Sequence, residues 1–396
     1  MVTERWLDFA IHYEAGETNM THAWNRWRRA AALAAAVWGM ALAGNAQAQI
    51  LVGQTAGFSG QVAAGVRETT DGALMFIEAV NAKGGVNGQK IELVSLDDKF
   101  DPKLAAENAR KLIEEQGVVA MFLTRGTPHT EAIIPLLDKH GVALVAPSTG
   151  AMVLHRPVQK YIFNVRATYQ REAEKAMTHL ASMGVTRIAL VSANDSFGDD
   201  GIAGALKGLT ASKLQPVVQE KFDRAKPDFA PIVAKVAKAE AQAVLLVASG
   251  TAVVEATTAL RQAGSTAQIV TLSNNASSGF IKSLGANGRG VIVTQVFPNE
   301  RALTFPLVKE AQDLARAKGL GEVSPAMLEG FAGAKVLVEA LRRAGPKPTR
   351  DKVHAALEGI RKFDIGGLEV NFSPEDHTGL DFADLSIIGT DGKFRR

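Results

Sequence analysis

From residue 49 onward the chain alternates between short apolar runs and longer stretches in which apolar residues recur every three or four positions. The runs at 50–53, 91–96, 118–123, 143–146, 188–192, 243–248, 269–272 and 291–294 are rich in Ile, Val, Leu and Ala and read as strands. Between them lie helical stripes, among them Ala73, Leu74, Ile77 and Val80, and then Ala132, Ile133, Leu136 and Leu137. Short apolar strands separated by helices predict parallel, doubly wound α/β sheets. The series runs twice, from 50 to about 146 and again from about 187 to about 294, which predicts two α/β lobes. A long helix at 327–344 and a tail at 363–388 remain over and are expected to cross back between the lobes. Two lobes joined by several crossings form a hinged cleft suited to clamping a small ligand.

The first 48 residues follow a different pattern. Arg26, Arg28 and Arg29 precede an apolar run at 30–44, and Ala46-Gln47-Ala48 supplies small residues at a cleavage position. This reads as a secretory signal peptide cleaved after Ala48, and export without an anchor points to the periplasm. The apolar run is shorter than the about 20 residues a membrane span needs; an uncleaved anchor is the competing reading. No cysteine follows it, which excludes a lipid-anchored form. Met20 is the better start, because it places the basic segment directly before the apolar run, and residues 1–19 read as an over-extended frame.

Composition narrows the function. At 46% hydrophobic and 21% charged, the 396 residues can bury a sizeable core. A net charge of +3, with no Lys/Arg block in the body of the chain, argues against nucleic acid as a partner. The absence of cysteine excludes disulfides, thiolate metal sites and thiol catalysis.

Four segments carry a resemblance. The run 53–60 (GQTAGFSG), Asn81-Ala82-Lys83-Gly84-Gly85, the Asp97-Asp98 pair followed by Asp101-Pro102, and Gly141 with Ala146-Pro147-Ser148 resemble, in order and spacing, the periplasmic branched-chain amino-acid-binding proteins. Asp195-Ser196-Phe197-Gly198 extends the likeness into the second half. The resemblance implies a type I periplasmic binding protein: a Venus flytrap of two doubly wound α/β lobes with three hinge crossings. It also implies a role as the monomeric solute-binding component of an ABC uptake system, working with a membrane permease and carrying out no chemistry or cofactor-dependent step of its own. The expected lobes are 49–167 with 297–366, and 168–296 with 367–396. A ligand-sensing receptor of the same fold and a branched-chain amino-acid binder proper are the alternatives.

Carried over residue by residue, the resemblance implies a ligand carboxylate held by Thr127 on one first-lobe loop and by Ser148 and Thr149 on another. Phe58 and Ser59, in the opening loop, and Phe197, Ser249 and Asn274, from the second lobe, complete the expected contacts. Thr127 also reads as a helix N-cap. Where the family's amino-acid binders place an acid for the ligand's ammonium, this chain has 272–275 (LSNN), and no acid lies between Arg261 and Glu300. A buried ammonium without an anion is costly, so the expected ligand is a small carboxylate or amide without an α-ammonium. Of the cations, Arg166 is expected to brace the first crossing, and Arg125 could pair with an anionic ligand.

Other motifs fail on chemistry. The loop 53–60 has neither G-x-G-x-x-G nor a P-loop lysine. Asp97, Asp98 and Asp101 lack calcium-loop spacing and read as a strand end and a helix cap. The histidines show no ligand spacing, although His129 could line the cleft. Phe331 reads as core, and no nucleophile–base pair is visible.

Overall fold

A computed structural model describes residues 49–395, so the expected signal peptide and the choice of start lie outside the described residues. The first lobe opens with β1 (Ile50–Ala56), α1 (Ala63–Ala82), β2 (Ile91–Asp97) and α2 (Pro102–Arg110), and continues with β3 (Ala120–Phe122), α3 (Thr127–His140), β4 (Ala143–Val145) and β5 (Ile162–Phe163). Its sheet, ordered β2-β1-β3-β4-β5, is parallel throughout, with Ile50 opposite Ile91 and Ala56 opposite Asp97.

The chain crosses at 164–168 into α4 (Tyr169–Ser182), β6 (Ile188–Ala193), α5 (Ser196–Ala211), β7 (Val218–Phe222) and α6 (Ala230–Lys238). Then come β8 (Ala243–Val247), α7 (Thr251–Gln262), β9 (Gln268–Thr271), α8 (Ser278–Leu284) and β10 (Ile292–Gln295). It returns to the first lobe through α9 (Pro306–Ala317), α10 (Pro325–Ala344), α11 (Arg350–Glu358) and the hairpin β11 (Phe363–Asp364) and β12 (Glu369–Val370). Finally β13 (Asp384–Ile388) and β14 (Phe394–Arg395) join the second sheet, ordered β14-β13-β10-β9-β8-β6-β7. That sheet is parallel from β7 to β10 and antiparallel at β13 and β14. The two doubly wound lobes and three crossings are therefore present.

The third crossing falls later than expected. Val370, Phe372 and Leu380 pack into the first-lobe core with Phe163 and Phe331, whereas Ile388 and Phe394 belong to the second-lobe core. The tail thus leaves the first lobe after Leu380, not at 366. Residues 371–380 have no helical or strand period; they are anchored by His377 stacking on Phe163 at 4.0 Å and by backbone bonds from Asn164 and Gly379. The edge strand β7 was also missed. It pairs with β6 alone and exposes every other residue, so its apolar content is low.

Local chemistry sets the helix starts. Asp101 caps α2, accepting from the amides of Lys103 (2.7 Å) and Leu104 (3.3 Å), with Pro102 at the first position. Asp195 caps α5 through the Gly198 amide at 3.1 Å. Two glycines bring α1 and α10 into backbone contact: a Cβ on Gly72 would lie 2.0 Å from the Met327 carbonyl, and one on Gly330 1.7 Å from that of Thr69. This locks α1, whose first turn faces the cleft, onto α10.

Candidate functional site

In parallel sheets, ligand sites lie beyond the carboxyl ends of the strands. Those ends of both sheets face one another here. From the first lobe come the loops after β1, β3 and β4; from the second, those after β6, β8 and β9. Leu123 and Ala146, at the ends of β3 and β4, take positive φ values of 50° and 51°. Such backbone costs non-glycine residues about 1–3 kcal/mol and clusters at ligand sites. It turns residues 124–127 and 147–149 sharply into the cleft.

Arg125 is the central cation of this cleft. Its side chain is buried, the residue 5% exposed. Nη1 donates to Ser148 Oγ at 2.9 Å, and Nη2 donates across the cleft to the Asn274 carbonyl. Among the described residues no carboxylate forms an ion pair with it. Burial pulls its pKa below the ordinary arginine value, while Tyr169 and Glu329 act in the opposite sense from farther away. Asn274 Nδ2 in turn donates to Ser249 Oγ at 3.0 Å and to the Ala248 carbonyl at 3.1 Å.

The hydroxyls of Thr127 and Thr149 bond each other at 2.7 Å, both fully buried. The cap position of α3 is Gly126, at φ 93°, and no side chain caps that helix. The Thr127 hydroxyl therefore ties two cleft loops together and does not serve its own helix.

Arg166 braces the first crossing. It pairs with Glu172, with Glu329 at 3.4 Å, and with Ser273 Oγ at 2.6 Å. Glu172 also accepts from the Ser273 amide at 2.9 Å and from the Thr294 hydroxyl. Burial alone would lower the Arg166 pKa, but Glu329 and Glu172 hold it above the usual arginine range. One guanidinium thus links α4, α10 and the loop after β9.

Phe197 is buried edge-on against Tyr169, ring centres 4.9 Å apart. Arg224, bonded to Asp195 at 2.5 Å, lies 5.5 Å above the Phe197 ring and 5.4 Å from that of Phe100 in the first lobe. His129 stacks on Phe100 at 4.2 Å; burial pushes its pKa down to about 4, so the ring is neutral.

A cavity of about 280 Å³ opens between the lobes. It is lined by residues 60–65 at the start of α1, by Arg125 and Asn274, and by Val254 and Phe280. Its lining contains no carboxylate.

Of the expected site residues, Asn274 lines this cavity, and Ser148 lies beside it with Arg125. Thr127, Thr149, Phe197 and Ser249 are buried but do not line it, Ser249 being joined to it only through its bond with Asn274. Phe58 and Ser59 do not line it. The Ser59 hydroxyl donates to Asp97 at 2.6 Å, at the edge of β2, and Phe58 packs with Val62, Val66 and Phe100. Sequence reasoning missed the first turn of α1 and Phe280, because backbone amides and a single apolar residue leave no motif. Among the described residues no cluster of potential metal ligands occurs.

Comparison with known proteins agrees with this geometry. A substrate-binding periplasmic protein from Ralstonia solanacearum superposes with a TM-score of 0.81 at 32% identity, over 87% of this chain and 99% of that one. The Leu/Ile/Val-binding protein BraC3 of Rhizobium johnstonii is 26% identical over 327 residues, 81% of this chain and 86% of that protein. An amino acid binding protein of Pseudomonas aeruginosa is 26% identical over 208 residues, 52% of this chain and 55% of that protein. The family described as periplasmic binding protein matches residues 49–383, which takes in the first sheet, the second sheet as far as β10 and all three crossings, and the chain belongs to that family.

Proposed function

We propose that this protein is the periplasmic solute-binding component of an ABC uptake system, closing on a small carboxylate-containing or amide ligand and presenting it to a membrane permease. The observation that carries the reading is the convergence on Arg125. A buried cation of one lobe bonds Ser148 beside it and the Asn274 carbonyl of the other lobe, at the edge of a cavity. Groups on both lobes that meet around one site make lobe closure and ligand binding the same event. Thr127, Ser148 and Thr149 hold the ligand from the first lobe; Phe197, Ser249 and Asn274 join from the second. The work of the protein is binding, not catalysis.

The names of relatives favour a second reading, a branched-chain amino acid as ligand. Against it stands a cavity lining without a carboxylate to receive an ammonium. Isothermal calorimetry of the purified protein against leucine, valine and a panel of organic acids and amides separates the two. Submicromolar leucine binding overturns the first reading in favour of the second.

A further inference from the structure

Resting on the solute-binding reading, we infer that the ligand is a small monoanion with a hydrocarbon body and no cationic group, and that Arg125 selects it.

Three features of the cavity carry this. The first is the charge of its wall. Arg125 reaches only Ser148 Oγ and the Asn274 carbonyl among the described residues, both neutral acceptors. A guanidinium buried this deeply is stabilised best by a carboxylate, which its planar fork can bind through two parallel bonds. Beside it, α1 begins at Val62 without a side-chain cap, and the first-turn amides of Ala64 and Gly65 donate to no acceptor among the described residues. The Arg125 Nη2 atom lies 3.8 Å from where a Gly65 Cβ would stand, so the guanidinium and the open helix end face the same space. Both favour negative charge there.

The second is the fate of the nearby acids. Glu68 is committed to the amides of Ser278 and Gly279, at 2.9 and 2.7 Å. Glu172 and Glu329 are committed to Arg166. A ligand ammonium would enter a site whose nearest free charge is positive, with a desolvation penalty and no anion to offset it. The third feature is an apolar part of the wall, Val62, Val254 and Phe280, set among neutral polar residues such as Thr251 and Ser277, which suits a hydrocarbon body.

The test uses two matched sets of compounds on the chain from residue 49: 4-methylpentanoate, 4-methylpentanamide and leucine; and 3-phenylpropanoate, 3-phenylpropanamide and phenylalanine. Each is titrated by calorimetry, and the purified protein is examined by native mass spectrometry for retained small molecules. In at least one set the carboxylate is expected to bind 10-fold or more tightly than both its amide and its amino acid. Arg125→Gln is expected to abolish that preference and Arg125→Lys to restore part of it. Binding without that preference in either set overturns the inference and leaves solute binding standing. If all six fail, a retained monoanion supports the inference and a retained neutral or cationic molecule overturns it. If all six fail and nothing is retained, the solute-binding reading itself falls. The wild-type titrations decide the matter even if Arg125→Gln does not fold.

Discussion

Glu68 of the first lobe accepts hydrogen bonds from the backbone amides of Ser278 (2.9 Å) and Gly279 (2.7 Å), the first two residues of α8 in the second lobe. On another pair of facing helices, α3 and α5, the Ser196 hydroxyl donates to Glu131 across the same cleft. Two first-lobe carboxylates thus reach the positive ends of two second-lobe helices, where negative charge is favoured. They hold the closed form through protein–protein contacts.

Removing these contacts should therefore loosen closure without unfolding either lobe. Glu68→Ala is expected to weaken ligand affinity about 2- to 30-fold, corresponding to about 0.5–2 kcal/mol for a lost cap, and to enlarge the radius of gyration in small-angle scattering. Glu131→Ala should act in the same direction, and the double variant should be close to additive. A compact, closed double variant with unchanged affinity would falsify the latch.

Breaking the Arg166 network should have a larger effect, on stability itself. Glu172→Leu leaves a buried guanidinium with one carboxylate, Glu329 at 3.4 Å, beside the neutral Ser273 hydroxyl. Losing one member of a buried pair costs about 3–5 kcal/mol, read as a lower urea midpoint. Arg166→Lys is not expected to rescue, since a lysine cannot reach Glu172, Glu329 and Ser273 at once. A midpoint unchanged in Glu172→Leu would show the network to be dispensable.

The Thr127–Thr149 pair separates a structural from a ligand-binding hydroxyl. Thr127→Val strands a buried partner and should cost about 1–3 kcal/mol of stability. Adding Thr149→Val should recover most of it, because no orphan remains. If these hydroxyls also hold the ligand, affinity stays low in the double variant while stability returns. Recovery of both would assign the pair to structure alone.

Acidification should expose two opposed sets of groups. Burial pushes the carboxyls of Asp98 and Asp200 up to about 6. Between pH 4 and 6 the folded protein thus keeps protons that an unfolded chain, with carboxylates near about 4, has released. These two groups favour the fold as pH falls and oppose it above about 6. His129 and His155, pushed down to about 4 by burial, do the reverse: stability is lost as pH falls from about 6.5 to 4. Replacing Asp98 and Asp200 by Asn should leave the histidine slope bare, so that the stability of the variant relative to wild type improves from about pH 4 to about 6 and levels off above it in urea titrations. An offset that does not change with pH would contradict the assignment.

The sequence carried the fold well wherever the hydrophobic period was strong. The parallel strands, the long helix α10 and the first two crossings are legible in runs such as 188–192 and 243–248. The third crossing was not, because residues 371–380 are held by His377, Asn164 and Gly379 through stacking and backbone bonds that leave no period. The site was half legible. Ser148 and Asn274, the two groups that meet Arg125, stand on loops whose residue types signal polar contact. The weight of Arg125 depends on which acids reach it in space, and Glu68, Glu172 and Glu329 are engaged by Ser278, Ser273 and Arg166, residues remote from them in sequence.

The described residues contain two tyrosines, Tyr161 and Tyr169, and no tryptophan. Tyr169 lies beneath Phe197, with the Arg166 guanidinium 4.8 Å from its ring, where the first crossing enters the second lobe. Ultraviolet emission from this part of the chain therefore comes from two rings, one of them at the hinge. Tyrosine fluorescence becomes a built-in, label-free gauge of opening, and a single tryptophan placed elsewhere on the cleft rim would be read against a dark background.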